Sequence, residues 1–128
     1  MKDLVSPAVK DLGSEHPVAV AWRRTFHSIV EAFAEGDFTL SRGVSHVRPV
    51  DADTAQQMRA YIADYGATLV ALPDDTWNTS LAQWYGVFWE VLVDLWTAEE
   101  GRSDLVLDAR VYEAADDFEV QIHLIYVP

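Results

Sequence analysis

The apolar residues of this chain change their spacing near residue 66, from a helical repeat to a strand-like alternation. A helix shows one apolar stripe at intervals of three and four residues, whereas a strand buried on one side is apolar at every second position. This order of patterns predicts an α+β fold, in which two helices cover one face of an antiparallel sheet. We expect a single domain over residues 1–128, with an N-terminal arm (1–15), a helical part (16–66) and a β part (67–128).

Two helices are predicted from the first pattern. The first should cover residues 18–35, and Gly36 follows it as the left-handed residue that commonly ends a helix. The second should cover residues 53–65, with Asp51 or Asp53 as its N-cap. The apolar stripes expected to pack on the sheet are Trp22, Phe26, Ile29, Val30 and Phe33, and then Ala55, Met58, Tyr61, Ile62 and Tyr65.

A meander of four strands is predicted for the second half of the chain. Alternating apolar residues separated by turn-forming residues place the strands at 77–84, 87–96, 104–113 and 118–127. A further short strand is expected at 38–41, between the helices. The joint at Tyr85 and Gly86 stays open, because one uninterrupted strand over 83–96 fits the same residues.

One face of this sheet is predicted to be apolar and the other polar. In the last strand the residues assigned to the apolar face are Phe118, Val120, Ile122, Leu124 and Tyr126. If each hairpin is centred on its turn, the residues that face each other across the strands follow directly. The expected facing pairs are Glu90 with Arg110, Asp94 with Val106, Trp96 with Asp104, Asp108 with His123, and Tyr112 with Glu119.

The polar face is where the sequence predicts a functional site, formed for binding a partner. Its residues are Trp77, Glu90, Asp94, Trp96, Asp108, Arg110, Glu119 and His123. Three interpretations stay open. The face is a solvated surface whose charges pair across strands, or a docking surface on which acids attract a basic protein and tryptophans anchor it. In the third interpretation it is an active site, in which Asp108 orients His123 as a general base.

The net negative charge of the chain limits the classes of macromolecule that it is expected to bind. The chain carries 9 basic and 21 acidic residues, a net charge of −12 at pH 7, and residues 60–128 hold thirteen of the acids. An acidic surface repels nucleic acids and anionic membranes, so we expect a basic protein partner instead, with the chain itself a monomer or homodimer.

Composition also limits the chemistry. Cysteine is absent, which excludes thiolate metal sites and thiol nucleophiles, and the four histidines are too dispersed for a local metal motif. We therefore expect no metal and no cofactor. The sequence shows no secretory signal and no membrane-spanning stretch, which leads us to expect a cytoplasmic protein.

Several segments resemble a family of small bacterial proteins that contain a domain of unknown function. They are GDFTL at 36–40, YG at 65–66, TW at 76–77, VLVDLWT at 91–97, EGRSDL at 100–105 and YVP at 126–128. The resemblance covers residues 22–128 and implies bacterial origin, without an activity or catalytic residues. The size, acidity and order of helices and strands are also similar to those of the immunity proteins of bacterial toxin systems.

The leading hypothesis is therefore a non-enzymatic acidic interaction protein, such as an immunity-type inhibitor that binds a basic toxin. The alternative is a small-molecule-binding or enzymatic domain that resembles nuclear-transport-factor-like folds. Those folds place a histidine and acids inside a pocket on the concave side of the sheet, whereas here such residues are predicted on the face away from the apolar stripe. A third hypothesis is a DNA mimic, which requires only dense carboxylates.

Overall fold

The computed structural model describes residues 8–128 and shows an α+β fold, as the change of spacing predicts. In chain order the elements are β1 (Glu15–Pro17), α1 (Val20–Ala34), α2 (Ala52–Tyr65), a 3₁₀-helix (Asp74–Asn78), β2 (Leu81–Trp84), β3 (Trp89–Thr97), β4 (Gly101–Ala114) and β5 (Asp117–Tyr126). The strands form one antiparallel sheet in the order β1-β2-β3-β4-β5. Within the described residues, no helix combines the length and apolarity needed to cross a membrane.

Helix α1 forms where the apolar stripe predicts it. All five residues of the predicted stripe are buried. The helix lacks a side-chain N-cap, so its position depends on packing rather than on its first turn. Just beyond its end, Gly36 adopts φ +89° and donates its backbone N–H to Phe33.

Helix α2 is capped by Asp51, one of the two predicted candidates. The Asp51 carboxylate accepts the backbone N–H of Thr54 at 2.7 Å, which satisfies one of the free donors of the first turn. The Gln57 side chain donates to the backbone carbonyl of Ile125 at 2.8 Å. This bond ties α2 to the last strand of the sheet.

The sheet has five strands rather than the four predicted. The additional strand is β1, which pairs with β2 and includes Glu15, a residue predicted to belong to the arm. The remaining part of that arm before residue 8 lies outside the described residues. β1 was missed because three residues are too few to show an alternating pattern.

Two predicted strand segments adopt other structures. Residues 77–78, predicted to begin a strand, belong to the 3₁₀-helix, where the buried Thr76 hydroxyl donates to the backbone carbonyl of Asp94 at 2.6 Å. Residues 38–41 form turns, in which Leu40 adopts φ +56° and is buried with Phe38 in the core. In both segments the apolar side chains are buried, but the backbone forms a 3₁₀-helix or turns instead of a strand.

The open question at Tyr85 is answered by a hairpin. β2 and β3 are separate strands, joined by a loop in which Tyr85 donates its backbone N–H to Phe88 at 2.8 Å. Gly86 adopts φ +90° in this loop, which is a conformation that glycine tolerates best. The strand following the loop starts at Trp89, two residues later than predicted.

One side of β3, β4 and β5 packs against the helices, and we call it the inner face. Its residues are Trp89, Val91, Val93, Leu95, Leu105, Leu107, Ala109, Val111, Val120, Ile122 and Ile125, all of them buried. They form one core with the buried residues of α1 and α2. The Trp22 ring of α1 contacts Trp89 of β3 edge-on, with 5.1 Å between centroids, and Phe118 of β5 at 6.3 Å. The Trp22 ring therefore contacts both β3 and β5.

A β-bulge in β5 changes which residues reach the inner face. Ala109 faces Ile122, but Asp108 faces Leu124, so His123 is an extra residue without a partner on β4. The predicted pairing of Asp108 with His123 is therefore wrong. The bulge also moves Leu124 and Tyr126, predicted on the apolar face, to the opposite side of the sheet, and it brings Ile125 inward.

The remaining predicted pairs of facing residues are compared with the observed pairing of β3 with β4 and of β4 with β5. Three are confirmed, namely Glu90 with Arg110, Asp94 with Val106, and Tyr112 with Glu119. The prediction for Trp96 is wrong. A second irregularity between Asp94 and Trp96 places Trp96 opposite Arg102 rather than Asp104.

The bulge can be tested by comparing two adjacent truncations. Ile125→Ala should lower the free energy of unfolding by about 2–5 kcal/mol, because Ile125 is fully buried on the inner face. Leu124→Ala should cost clearly less, because Leu124 is half-buried on the opposite side. Urea unfolding monitored by tryptophan fluorescence measures both. A larger loss for Leu124→Ala would show that β5 runs without the bulge.

Candidate functional site on the outer face of the sheet

The candidate site is the side of β3, β4 and β5 that points away from the helices, which we call the outer face. Its residues are Glu90, Leu92, Asp94 and Trp96 from β3, Val106, Asp108, Arg110 and Tyr112 from β4, and Glu119, Gln121, Leu124 and Tyr126 from β5. Helices α1 and α2 pack on the inner face instead. Charged and apolar side chains alternate here at close range, a composition unlike that of a purely solvated face.

Asp108 is the most buried acidic residue of this face. Only 6% of its surface is exposed, and its carboxylate oxygen Oδ1 has no hydrogen-bond partner among the described residues. A buried carboxylate without partners is costly in its charged form. Burial and the adjacent Glu90 carboxyl raise the pKa of Asp108 to about 7, whereas the charge of Arg110 lowers it.

Glu90 and Asp108 act as a pair of carboxyl groups on neighbouring strands. After burial, the interaction with the Glu90 carboxyl is the next cause that raises the pKa of Asp108, because two neighbouring carboxylates repel each other. Burial together with the two carboxyls also raises the pKa of the Tyr126 phenol. The three groups thus form one interacting set on the outer face.

Arg110 faces Glu90 as predicted, but it does not pair with it. Within residues 8–128 the two side chains form no ion pair within 4.0 Å. The Arg110 guanidinium instead lies over the ring of Phe88, 4.5 Å from its centroid. Because Arg110 lies over Phe88, it forms no ion pair with Glu90 or Asp108, and its charge acts on the two carboxyl groups only at longer range.

Two other predicted acids already have partners inside the molecule. The Asp94 carboxylate accepts the hydroxyl of Thr79, and its backbone N–H donates to Ser80 at 2.9 Å. Glu119 accepts the Arg48 side chain at 2.8 Å, and the Arg48 guanidinium also lies 4.8 Å from the centroid of Tyr112. Arg48 belongs to the connection before α2, beside the edge of β5, where His46 and Arg48 bond the backbone of Val120.

The two predicted tryptophans lie in different places. Trp96 belongs to the outer face at the end of β3, with its indole N–H buried and without a partner among the described residues. Trp77 lies in the 3₁₀-helix, packed edge-on against Phe26 of α1 at 6.5 Å and bonded to His27 at 3.2 Å. Trp77 is therefore not part of the outer face.

The arrangement predicted for a general base is absent. His123 is exposed at the bulge, and Asp108 faces Leu124 across the strands instead. In addition, no group of three or more His, Asp or Glu residues within 8–128 is arranged to hold a metal ion.

Sequence reasoning missed the apolar side chains around the carboxyl pair. Leu124 and Tyr126 join the outer face through the bulge, and Phe88 lies under Arg110. Val106 was placed correctly opposite Asp94, but its burial was not predicted. The sequence did contain a signal. Leu124 and Ile125 are both large and apolar, so a strict alternation could not assign both to the same face.

Comparison with known proteins identifies a family. A family model described as Domain of unknown function (DUF7668) matches residues 30–128, and the chain belongs to that family. No curated protein and no solved structure matches the chain. The match includes α2 and the whole of β2 to β5, and therefore every residue of the outer face.

The raised pKa of Asp108 makes a prediction about stability. An aspartic acid in the unfolded chain ionises near pH 3.9, so between pH 4 and 7 the folded state binds the proton more tightly than the unfolded state. The bound proton therefore stabilises the folded state fully below about pH 4. This stabilisation decreases as the pH rises from 4 to 7, by at most about 1.4 kcal/mol per pH unit.

Asp108→Asn removes this titration, so the variant should gain stability relative to wild type between pH 5 and pH 8. Urea unfolding at one-unit steps measures the difference. Asp104→Asn, an exposed position of the same strand, is the matched control and should show no such trend. A difference between Asp108→Asn and wild type that does not change with pH would contradict the raised pKa.

Proposed function

We propose that this member of the DUF7668 family is a protein-interaction domain that binds a basic partner through the outer face of its sheet. One observation carries the proposal, namely the buried Asp108 with its unpartnered oxygen next to Glu90. A buried acceptor without a partner costs about 1–3 kcal/mol. A cationic side chain from a partner would supply the missing donor and favour the ionised form of the carboxyl pair.

The side chains around Asp108 support docking of a protein rather than exposure to water. Leu92, Tyr112, Leu124 and Tyr126 are each half-buried on this face. Such side chains provide apolar area close to the charged group, which is the composition of many interface centres. Rotation of these side chains on binding, which is common at interfaces, would open a path to Asp108.

Long-range charge supports the same choice of partner. Thirteen of the 21 acidic residues lie in residues 60–128, which include β2 to β5. A surface of one charge increases the association rate of an oppositely charged protein, and this increase declines as salt rises. In its specific form the proposal is an immunity-type inhibitor that binds a basic toxin of a bacterium.

The two other hypotheses receive less support from the geometry. A pocket of the nuclear-transport-factor-like kind requires its polar residues between helices and sheet, whereas Glu90 and Asp108 lie on the outer face. A DNA mimic requires dense carboxylates. Here Arg48 and Arg110 lie among them, each over an aromatic ring.

The proposal predicts a saturable complex with a basic protein that depends on the outer face. Candidate partners are proteins encoded next to this chain and proteins captured from the source cells, each then purified and titrated by calorimetry. Glu90→Gln with Asp108→Asn should weaken binding tenfold or more, because the cation loses its carboxyl partners. Tyr126→Ala should weaken it through lost apolar contact.

Asp64→Asn, an exposed acid of α2, is the matched control and should leave the affinity within about twofold of wild type. Affinity should also fall between 50 and 300 mM salt. A purified partner that binds the outer-face variants as tightly as wild type would place the interface elsewhere and overturn the proposal. Failure of every purified basic candidate to bind would overturn it as well.

A further inference from the structure

A second surface lies on the helix side of the molecule, in the groove between α1 and the 3₁₀-helix. The groove has a volume of about 1010 Å³ and is open to solvent. Its polar lining includes Arg23, Arg24 and His27 from α1. Pockets that bind small molecules have volumes of about 300–1,000 Å³, so the groove can hold a ligand of metabolite size.

Two arginines of this groove lack acidic partners, although the chain has an excess of acids. Lys10, Arg42 and Arg48 each form an ion pair with a carboxylate at 2.8 Å or less. Among the described residues Arg23, Arg24, Arg59, Arg102 and Arg110 form none, and of these five only Arg23 and Arg24 line the groove. Both arginines line the groove, so an anion bound there would supply the negative charge that they lack.

Arg23 is held in place before any ligand binds. Its Nε donates to the backbone carbonyl of Val18 at 3.0 Å, and its guanidinium lies 5.6 Å from the centroid of Trp77. The remaining guanidinium donors stay available, because Nε makes the bond to Val18. A positioned donor loses little conformational entropy when it binds, which favours recognition.

His27 adds a third donor. Its Nε2 lies 3.2 Å from the indole N–H of Trp77, which can only donate, so Nε2 accepts and the ring proton resides on Nδ1. The imidazole is about one-third exposed and lines the groove. Asp74 Oδ1 lies 3.4 Å from the same Nε2. In this tautomer His27 offers one N–H donor, at Nδ1.

Carboxylates limit which anions fit. Asp74 and Glu31 also line the groove, and Glu31 lies seven residues beyond Arg24, about 10 Å along α1. A polyanion such as a nucleic acid would meet both carboxylates. From this arrangement we propose that the groove binds a small ligand through one compact anionic group, a phosphate or a carboxylate, held by Arg23, Arg24 and His27. This site is separate from the outer face and does not depend on its function.

Inorganic phosphate and acetate are the probes that distinguish the two anionic groups. Each is titrated into the full chain at constant ionic strength, with sodium chloride as the reference, while ¹H–¹⁵N spectra follow the Trp77 indole and the arginine Nε signals. We expect saturable shifts at these signals, with a dissociation constant in the millimolar range. Saturation by phosphate alone assigns a phosphate ligand, and saturation by acetate assigns a carboxylate ligand.

Arg24→Gln is the decisive variant, because Arg24 is exposed and its loss should leave the fold intact. It should weaken the probe at least threefold, and the double variant with Arg23→Gln should abolish saturation. Arg102→Gln, an exposed arginine outside the groove, is the matched control and should bind as wild type does. Shifts that follow sodium chloride alone, or equal affinity in Arg24→Gln, would show an adventitious ion only and overturn the proposal.

Discussion

The structure depends on one apolar layer between the helices and the inner face of the sheet. Helix α1 has no side-chain N-cap and relies on this layer for its position. Trp22 shows how the layer holds the fold together, since one ring of α1 contacts Trp89 of β3 and Phe118 of β5. Among the described residues the helices cover one face of the sheet, so the regularly alternating residues of β3 to β5 belong either to this layer or to the outer face.

The properties of the outer face follow from the requirements of this layer. The bulge at His123 brings Ile125 inward to the core, and it thereby sends Leu124 and Tyr126 outward. Leu124 then lies opposite Asp108, where a strand without a bulge would place a histidine able to pair with it. An apolar neighbour gives no hydrogen bond, so burial raises the pKa of Asp108. Core packing on one face thus creates the unusual carboxyl group on the other.

The sequence predicted those elements in which one pattern persists over many residues. Helix α1, helix α2 and the pairing of Glu90 with Arg110 follow from spacing alone, because burial on a single face leaves one register. The sequence-based prediction was wrong where an apolar residue is buried in a turn or a 3₁₀-helix rather than in the predicted strand. Trp77 fits a strand by composition, yet the hydroxyl of Thr76 bonds to β3 and stabilises a 3₁₀-helix instead.

The same limit explains how much of each site could be predicted. The acids of the outer face were found, since β3 and β4 alternate regularly, whereas the surrounding apolar residues of β5 were not. The groove could not be predicted at all. Its residues come from α1 and from the 3₁₀-helix, which are about 50 residues apart in the chain, and only the tertiary structure brings His27 to Trp77. The charged residues of α1 do not indicate, from the sequence alone, which other element of the fold lies beside them.

The 3₁₀-helix connects the two surfaces, and its bonding indicates that they act independently. On one side it carries Trp77 and Asp74 of the groove, and on the other Thr76 bonds to the backbone of Asp94 in β3. Thermodynamic coupling between sites requires an element with two arrangements that each ligand favours differently. Thr76 is fully buried, and Ser80 holds the same residue of β3 through a second bond. With the element held in one arrangement, a ligand in the groove and a partner on the outer face should bind with additive free energies.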